Sequence, residues 1–237
     1  MLAVRLGREL WLFVSPPRRR ETIEVPYDGD ASLGHVVQAL GVPLTEVGGL
    51  LVDGAPAHPA CRPKQGATIE IYPVRRPQHV LGARGFLLDV HLGTLARRLR
   101  LLGIDTAYRN HAEDEALVRQ AGGQRRVLLT QDRGLLMRRA LWAGAYVRGR
   151  RADEQLADVL DRFTPRLAPW SRCTHCNGEL VSVPKRELGE VLEPGTRRCY
   201  DRFARCPACG RVYWRGAHSR HLEAVVRAAG SLTGQAR

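Results

Sequence analysis

Alternation of apolar and polar positions dominates the first 75 residues and predicts a small sheet with one helix. The predicted strands are residues 3–13, 21–25, 50–53 and 68–74, the first two forming a hairpin through a Pro-Arg turn. The predicted helix, Leu33–Leu40, follows Ser32 and stops at Gly41. This order of elements predicts a β-grasp, ubiquitin-like domain over residues 1–77.

After a linker rich in proline and arginine, apolar runs alternate with stretches of helical spacing. The predicted strands are residues 86–89, 104–108, 127–130 and 145–148, and the predicted helices are residues 92–102, 114–121, 135–142 and 153–163. Strands that are apolar throughout and are separated by helices are typical of a parallel sheet covered on both faces. Residues 84–164 are therefore predicted to form an α/β domain.

The third segment, residues 170–229, is rich in cysteine and poor in large aliphatic residues, so it needs a stabilising cross-link to fold. Cys173-x-x-Cys176 and Cys206-x-x-Cys209 are separated by 29 residues. Two such pairs are typical of a closed four-thiolate shell around a structural zinc ion. His175, inside the first pair, is an alternative ligand, and Cys61 and Cys199 lie outside the pattern. Residues 219–229 are predicted to form a final helix.

Three aspartates of the α/β segment are candidates for a second metal site. Asp89 and Asp132 follow predicted strands, and Asp114 begins a predicted helix. The carboxyl ends of parallel strands share one edge of the sheet, where ligands bind. We expect the three carboxylates to converge there and to hold Mg²⁺ or Mn²⁺, which can activate water for phosphodiester cleavage.

Alternatives to this metal site remain open at the level of sequence. Asp is a common helix N-cap, so Asp114 and Asp132 could simply begin their helices. Glu113 and Glu115 flank Asp114 and could replace it as a ligand. A phosphoacceptor receiver domain is disfavoured, because that fold needs a lysine after a late strand and residues 84–164 contain none.

The net charge of +13 favours a polyanionic partner. Arg97, Arg100 and Arg133 lie near the aspartates in the sequence and are predicted to hold RNA phosphates, although a solvated helix face would also explain the first two. Arginines and aromatic residues are interleaved between residues 197 and 215. That mixture suits single-stranded RNA, or else the aromatic residues are the core of the zinc segment.

Several stretches of the chain resemble a known family. They are Phe86–Asp89, Leu92–Asp105, Asp114-Glu115, Val127–Arg133 and the ending from Cys206 to His218. These motifs are similar to the Mut-seven C-terminal RNase family, which combines a PIN-like nuclease domain with a zinc ribbon. Residues 1–75 resemble the ubiquitin-like domain often fused in front of it.

The resemblance implies that residues 84–164 are a PIN-like nuclease and that Asp89, Asp114 and Asp132 bind its metal. PIN nucleases often carry a fourth acid, for which Asp153 and Glu154 are the nearest candidates. We therefore expect a ribonuclease that depends on Mg²⁺ or Mn²⁺.

Two other functions remain possible. The chain could be an RNA-binding adaptor without catalysis, and the N-terminal domain could dock a protein partner. No apolar run approaches the ~18 residues that a bilayer requires, and the N-terminal apolar stretch lacks the features of a signal peptide. We expect a cytoplasmic protein without a membrane partner.

Overall fold

A computed structural model describes residues 1–216 and 219–234, apart from the side chains of Glu190 and of residues 219–221. Ala217 and His218, which close the resembling C-terminal motif, lie outside the described residues. The chain divides into two compact units, one of Met1–Val80 with Glu113–Tyr146 and one of Leu81–Ala112 with Val147–Arg237. The domain limits predicted from sequence, 1–77, 84–164 and 170–229, remain predictions.

A five-stranded mixed sheet with one helix forms the N-terminal part of the first unit. Its elements are β1 (Leu2–Leu6), β2 (Ile23–Val25), α1 (Leu33–Ala39), β3 (Val47–Val52), β4 (Ala55–Pro56) and β5 (Thr68–Pro73). The strand order is β2-β1-β5-β3-β4, in which β1 and β5 are parallel and the other pairs antiparallel. The predicted β-grasp-like fold is confirmed.

The predicted first strand is too long, because β1 ends at Leu6 and not at Phe13. A short 3-10 turn, Arg8–Leu10, follows it. Leu10, Phe13 and Val14 are all buried in the core of this sheet. Their i, i+3, i+4 spacing places three apolar side chains on one side of a helical turn, whereas a strand would point alternate residues away from the core.

The α/β segment contributes one pair of parallel strands to each unit. Its strands are β6 (Phe86–Leu88), β7 (Thr106–Tyr108), β8 (Val127–Thr130) and β9 (Gly144–Tyr146), and its helices are α2 (Gly93–Leu101), α3 (Asp114–Gly123), α4 (Arg133–Leu136) and α5 (Ala152–Phe163). β6 pairs with β7, and β8 pairs with β9. Every residue of β6 and β8 is buried. This burial and the parallel pairing confirm the predicted α/β class.

The third predicted helix of this segment is wrong in length, since α4 makes a single turn instead of running to Trp142. Residues 138–140, which follow α4, are all exposed. A Cβ at Gly144 would lie 2.7 Å from a methyl group of Leu136 and 2.8 Å from one of Leu141. Two leucines that are five residues apart both reach Gly144, a spacing that a continuous helix does not provide.

β9 packs against the N-terminal sheet within the first unit. The Phe13 and Tyr146 rings meet edge to face with centroids 5.2 Å apart. The backbone N–H of Tyr146 donates to the carboxylate of Glu46 over 2.8 Å, and Glu46 is only 2% exposed. A buried carboxylate needs such partners to offset its lost hydration.

A small antiparallel sheet follows in the second unit. The sheet consists of β10 (Val181–Val183), β11 (Phe203–Arg205) and β12 (Val212–Trp214). The same segment contains the helices α6 (Pro194–Cys199) and α7 (Ser219–Thr233). Its buried core is small and consists of Leu188, Leu192 and Phe203. α7 runs four residues beyond the predicted end. In the described part of the chain, no helix combines the length and the hydropathy needed to cross a bilayer.

The segment between α5 and this sheet is held by α2. The N–H groups of Ala168 and Trp170 donate to the carbonyls of Leu102 and Leu101, both over 2.9 Å. Gly103 permits this approach, because it has φ +80° and a Cβ there would lie 2.0 Å from the carbonyl oxygen of Ala168. Any other residue at position 103 would force these two backbones apart.

We predict that Gly103→Ala destabilises the protein by at least about 2 kcal/mol, because overpacking costs about 1–3 kcal/mol and a left-handed backbone adds about 1–2. Gly82→Ala is the matched control, since Gly82 has φ +77° but open space around its Cα. Urea denaturation followed by circular dichroism measures both. Equal losses of stability in the two variants would contradict the steric explanation.

Candidate metal centre and acidic residues

Four cysteine side chains come together in the small sheet, as the sequence predicts. The Sγ atoms of Cys173, Cys176, Cys206 and Cys209 all lie within 4.8 Å of one another. Cys173 and Cys209 are 3.6 Å apart, and Cys176 and Cys206 are 3.4 Å apart. Tetrahedral zinc with Zn–S bonds of ~2.3 Å requires sulfurs about 3.8 Å apart, so this donor set fits a structural zinc ion.

Each cysteine pair forms the same tight turn. The N–H of Asn177 donates to the carbonyl of Cys173 over 2.9 Å, and the N–H of Gly210 donates to that of Cys206 over 2.8 Å. Asn177 and Gly210 both adopt a left-handed backbone, with φ of 72° and 74°. Asparagine and glycine are the residues that tolerate this conformation best. The turns therefore bring the two thiols of each pair to one side.

The thiols of the cluster differ in pKa. Burial alone would raise the pKa of Cys173, but hydrogen bonds from Tyr213 and from backbone N–H groups outweigh it and lower the pKa to about 6. Burial and the neighbouring thiols raise the pKa of Cys176 to about 12. Four adjacent thiolates repel one another, so a cation at their centre is what allows all four to lose their protons.

The turn of the first cysteine pair, Cys173–Cys176, is called the first knuckle. It is hydrogen-bonded to β7 through a buried arginine and an asparagine. Arg100 is 3% exposed, and its guanidinium donates to the carbonyls of Thr106 over 2.8 Å and His175 over 2.7 Å. Asn177 accepts from the N–H of Thr106 and donates to Asp105 over 2.8 Å. The knuckle and β7 thus share a network of hydrogen bonds in which Arg100 and Thr106 are buried.

Asp89 occupies the predicted strand end. It follows β6 directly, is 7% exposed, and accepts a 2.6 Å hydrogen bond from the N–H of Val90 through Oδ1. It is the N-cap of a 3-10 turn, Val90–Leu92, that leads into α2. The carboxylate is therefore fixed in direction by the backbone.

Asp132 and Asp114 also lie where the sequence places them. Asp132 caps α4, and its Oδ1 accepts from the N–H of Gly134 over 2.7 Å and of Leu135 over 3.3 Å. Asp114 is the first residue of α3 and pairs with Arg138 at 3.5 Å, both being half exposed. An exposed ion pair of this kind is weak and can yield to a cation.

Among the described residues, one group of three or more potential metal ligands has all its donor atoms within 4.8 Å of one another, and that group is the four cysteines. The shared metal site of Asp89, Asp114 and Asp132 therefore remains a prediction. Asp153 and Glu154, the candidates for a fourth acid, lie at the start of α5, and that role also remains a prediction. Asp153 pairs with Arg98, and Glu154 accepts from the N–H groups of Arg150 and Arg151.

The three arginines predicted to contact RNA have different surroundings. Arg97 is exposed on α2. Arg100 is buried against backbone carbonyls, so its guanidinium serves the zinc knuckle. Arg133 donates to the carbonyls of Phe13 over 3.0 Å and Leu12 over 2.7 Å. Within its unit, Arg133 therefore links α4 to the N-terminal domain.

Sequence reasoning missed the parts played by Arg100, Asn177 and Tyr213. Tyr213 lies 3.0 Å from the Sγ of Cys173. Asn177 has a local signal, because the residue after a Cys-x-x-Cys turn needs a left-handed backbone and asparagine is suited to it. Arg100 has no such signal, since its two partners on the knuckle lie 74 and 75 residues away.

Comparison with known proteins finds two family matches. The family described as the Mut7-C RNAse domain matches residues 84–226, and the one described as Mut7-C ubiquitin matches residues 1–79. Neither the search of curated proteins nor that of solved structures finds a match.

We predict that Cys206→Ser loses bound zinc and unfolds the ribbon, because about 10–16 kcal/mol of metal binding is shared by four thiolates. Loss of one ligand should weaken zinc binding by at least about 100-fold. Elemental analysis after dialysis against a weak chelator measures it. Cys199→Ser is the control, since this exposed cysteine lies outside the cluster. Equal zinc content in both variants would refute the assignment.

We also predict that Arg100→Lys destabilises the protein by roughly 1–3 kcal/mol and speeds zinc release, because lysine cannot serve the buried carbonyls on both sides. Arg97→Lys, an exposed position on the same helix, should change neither property. Urea denaturation and the rate of zinc transfer to a chromogenic chelator provide the measurements. Unchanged zinc release in Arg100→Lys would show that the network does not support the knuckle.

Proposed function

Because the chain belongs to the Mut7-C RNase domain family, we propose that it hydrolyses RNA phosphodiester bonds at a divalent metal held by Asp89, Asp114 and Asp132. The observation that carries the proposal is the family match over residues 84–226, which includes all three aspartates. The RNase domain implies RNA as the substrate. The metal ligands and the chemistry are our inference.

The local geometry of the aspartates supports their assignment. Asp89 directly follows β6, Asp132 follows β8 by two residues, and β6 and β8 are buried throughout. Ligands of α/β proteins bind beyond the carboxyl ends of such strands. Backbone N–H groups orient Asp89 and Asp132 through Oδ1. Oriented ligands lose little conformational entropy when a metal binds.

The donor set suits a hard cation. Carboxylate oxygens are the ligands that Mg²⁺ and Mn²⁺ prefer, whereas the four thiolates select zinc. A bound divalent cation would supply charge neutralisation at the phosphate and a lowered pKa for water. Two chemically distinct metal sites are thus proposed, a catalytic one of oxygen ligands and a structural one of sulfur ligands.

Among the predicted arginines, Arg97 is the proposed phosphate contact. It is exposed on α2, the helix that follows Asp89. Arg100 and Arg133 are not part of the proposal, because backbone carbonyls already occupy their guanidinium groups. Docking of a protein partner by the N-terminal domain remains a prediction.

One observation favours a second function, RNA binding without catalysis. Asp89 and Asp132 both cap short helices, and capping alone accounts for an aspartate at such a position. A chain that kept these residues only as caps would bind RNA and leave it intact. Substitution by asparagine separates the two functions, since asparagine caps a helix as well as aspartate does but is a poor ligand for Mg²⁺.

We predict that Asp89→Asn and Asp132→Asn each lower cleavage of single-stranded RNA in Mn²⁺ by at least about 100-fold, because a bound metal contributes several kcal/mol to the transition state. Zinc content and thermal stability should stay close to those of the parent. Gel analysis of end-labelled RNA measures the cleavage. Asp30→Asn, which removes an exposed acid of the N-terminal domain, is the control.

Undiminished cleavage in Asp89→Asn would eliminate the proposed site. Absence of metal-dependent cleavage in the parent, together with salt-sensitive RNA binding, would favour the adaptor function instead.

A further inference from the structure

An open groove lies on the small antiparallel sheet with the four cysteines, here called the ribbon. Its lining is aromatic and mostly basic, in contrast to the acidic residues of the proposed catalytic site. The groove has a volume of about 680 Å³ and is formed by β11, β12 and the residues around them. Its aromatic lining consists of Trp170, Tyr200, Phe203, Tyr213 and Trp214, and its charged lining includes Arg202 and Arg215. Ligand sites of proteins commonly have volumes of ~300–1,000 Å³.

The aromatic residues of the groove divide into core and surface. Phe203 is buried in the ribbon core, and Tyr213 contacts Cys173 through its hydroxyl. Trp214 is 41% exposed, although its ring lies 6.3 Å from that of Phe203. Tyr200 is partly exposed. The core therefore explains Phe203 and Tyr213 but leaves a face of Trp214 to solvent.

Trp170 forms another wall of the groove and is held in an unusual conformation. Its backbone has φ 67°, a region that bulky residues rarely adopt. The Arg215 guanidinium lies 5.3 Å from the centroid of its ring. A cation stacked on one indole beside a second exposed indole makes a surface that is both flat and positively charged.

The segment that forms the groove is rich in arginine, and Arg202 and Arg215 line the groove together with one acid, Asp201. Six arginines occur between residues 197 and 216, namely Arg197, Arg198, Arg202, Arg205, Arg211 and Arg215. The single acid of that stretch, Asp201, accepts a hydrogen bond from Lys185 over 2.8 Å. The ribbon groove thus favours an anionic ligand that also offers flat apolar faces.

We propose that this groove binds a single-stranded segment of RNA, with a base stacked on Trp214 and phosphates held by Arg202 and Arg215. The proposal deepens the proposed function, because it rests on RNA being the substrate. In this proposal the groove binds the strand, whereas Asp89, Asp114 and Asp132 would hold the metal that supplies the chemistry of cleavage.

Single-stranded RNA fits these features better than other polyanions. Its unstacked bases present aromatic faces, and its backbone carries one charge per nucleotide. Duplex RNA hides its bases and is bound through its shape and phosphates. An acidic peptide supplies charge without faces that stack. The groove offers stacking and charge together, which only the single strand uses in full.

Binding is measured on the zinc-loaded full chain carrying Asp89→Asn, without added Mg²⁺ or Mn²⁺, so that the RNA stays intact. The ligand is a labelled single strand of about 10 nucleotides, within the range of ~4–16 that one small module covers. An abasic strand of equal length, a duplex and an acidic peptide serve as comparison ligands. Fluorescence anisotropy at several salt concentrations gives the affinities.

Trp214→Leu keeps apolar contact with Phe203 but has no ring, whereas Trp214→Phe keeps a ring. We expect the leucine variant to bind the single strand about 5- to 150-fold more weakly, the range for loss of one stacked base, and the phenylalanine variant to recover most of the affinity. Binding of the abasic strand should not change. Tyr72→Ala, an equally exposed aromatic at 46%, is the control on the N-terminal sheet.

Replacing both Arg202 and Arg215 by glutamine should weaken binding of the single and abasic strands alike. It should also make the slope of log K against log salt less negative by roughly 1.4, since each phosphate contact on a single strand contributes about −0.7.

Several results would overturn the groove. One is a Trp214→Leu variant that binds the single strand as tightly as its parent. Another is a Trp214→Leu variant that loses equal affinity for the single and the abasic strand. Equal affinity for the acidic peptide would show that charge alone is recognised. These outcomes are separate from the nuclease proposal, which is tested by cleavage with Mn²⁺ in chains with an intact Trp214.

Discussion

Hydrogen bonds from the buried guanidinium of Arg100 join the first cysteine knuckle to β7 in the second unit. In the described part of the ribbon the buried core is small, consisting of Leu188, Leu192 and Phe203, and buries too little apolar surface to fold unaided. A structural zinc ion, with which the four-cysteine cluster is consistent, would supply the missing stabilisation, and Arg100 connects the first cysteine pair to β7. Burial lowers the pKa of Arg100, yet its three carbonyl partners favour the cation. These contacts join the ribbon to the α/β segment of its own unit.

A similar use of buried polar groups occurs in the first unit. Glu46 accepts from the backbone of Tyr146, and the Arg133 guanidinium donates to the carbonyls of Leu12 and Phe13. Both contacts join the β-grasp-like sheet to residues that follow β8. Arg133 is the neighbour of Asp132, so the N-terminal sheet helps to fix the backbone beside a proposed metal ligand. The N-terminal domain thereby has a structural part in the proposed site, whether or not it also binds a partner.

The sequence predicts most of the fold, because spacing of apolar residues and turn chemistry are local signals. The parallel strands β6–β9, the capped helix after Ser32 and the paired cysteines are all of this kind. The errors at Leu10–Val14 and at α4 arise where apolar residues admit two periodicities and tertiary packing decides between them. Arg100 shows a different limit. A charged residue on an amphipathic helix suggests solvent or phosphate, and only the fold reveals that carbonyls 74 and 75 residues away receive it.

The contact between Arg100 and the knuckle is made entirely to main-chain oxygens of Thr174 and His175. Recognition of a carbonyl does not depend on which side chain that residue carries. The side chains of Thr174 and His175 are therefore not needed for the contact with Arg100, and other residues could stand at these two positions without loss of it. The cysteines, Arg100, Asn177 and Tyr213 carry the constraint, so the geometry of the knuckle can persist while the two side chains between its cysteines differ.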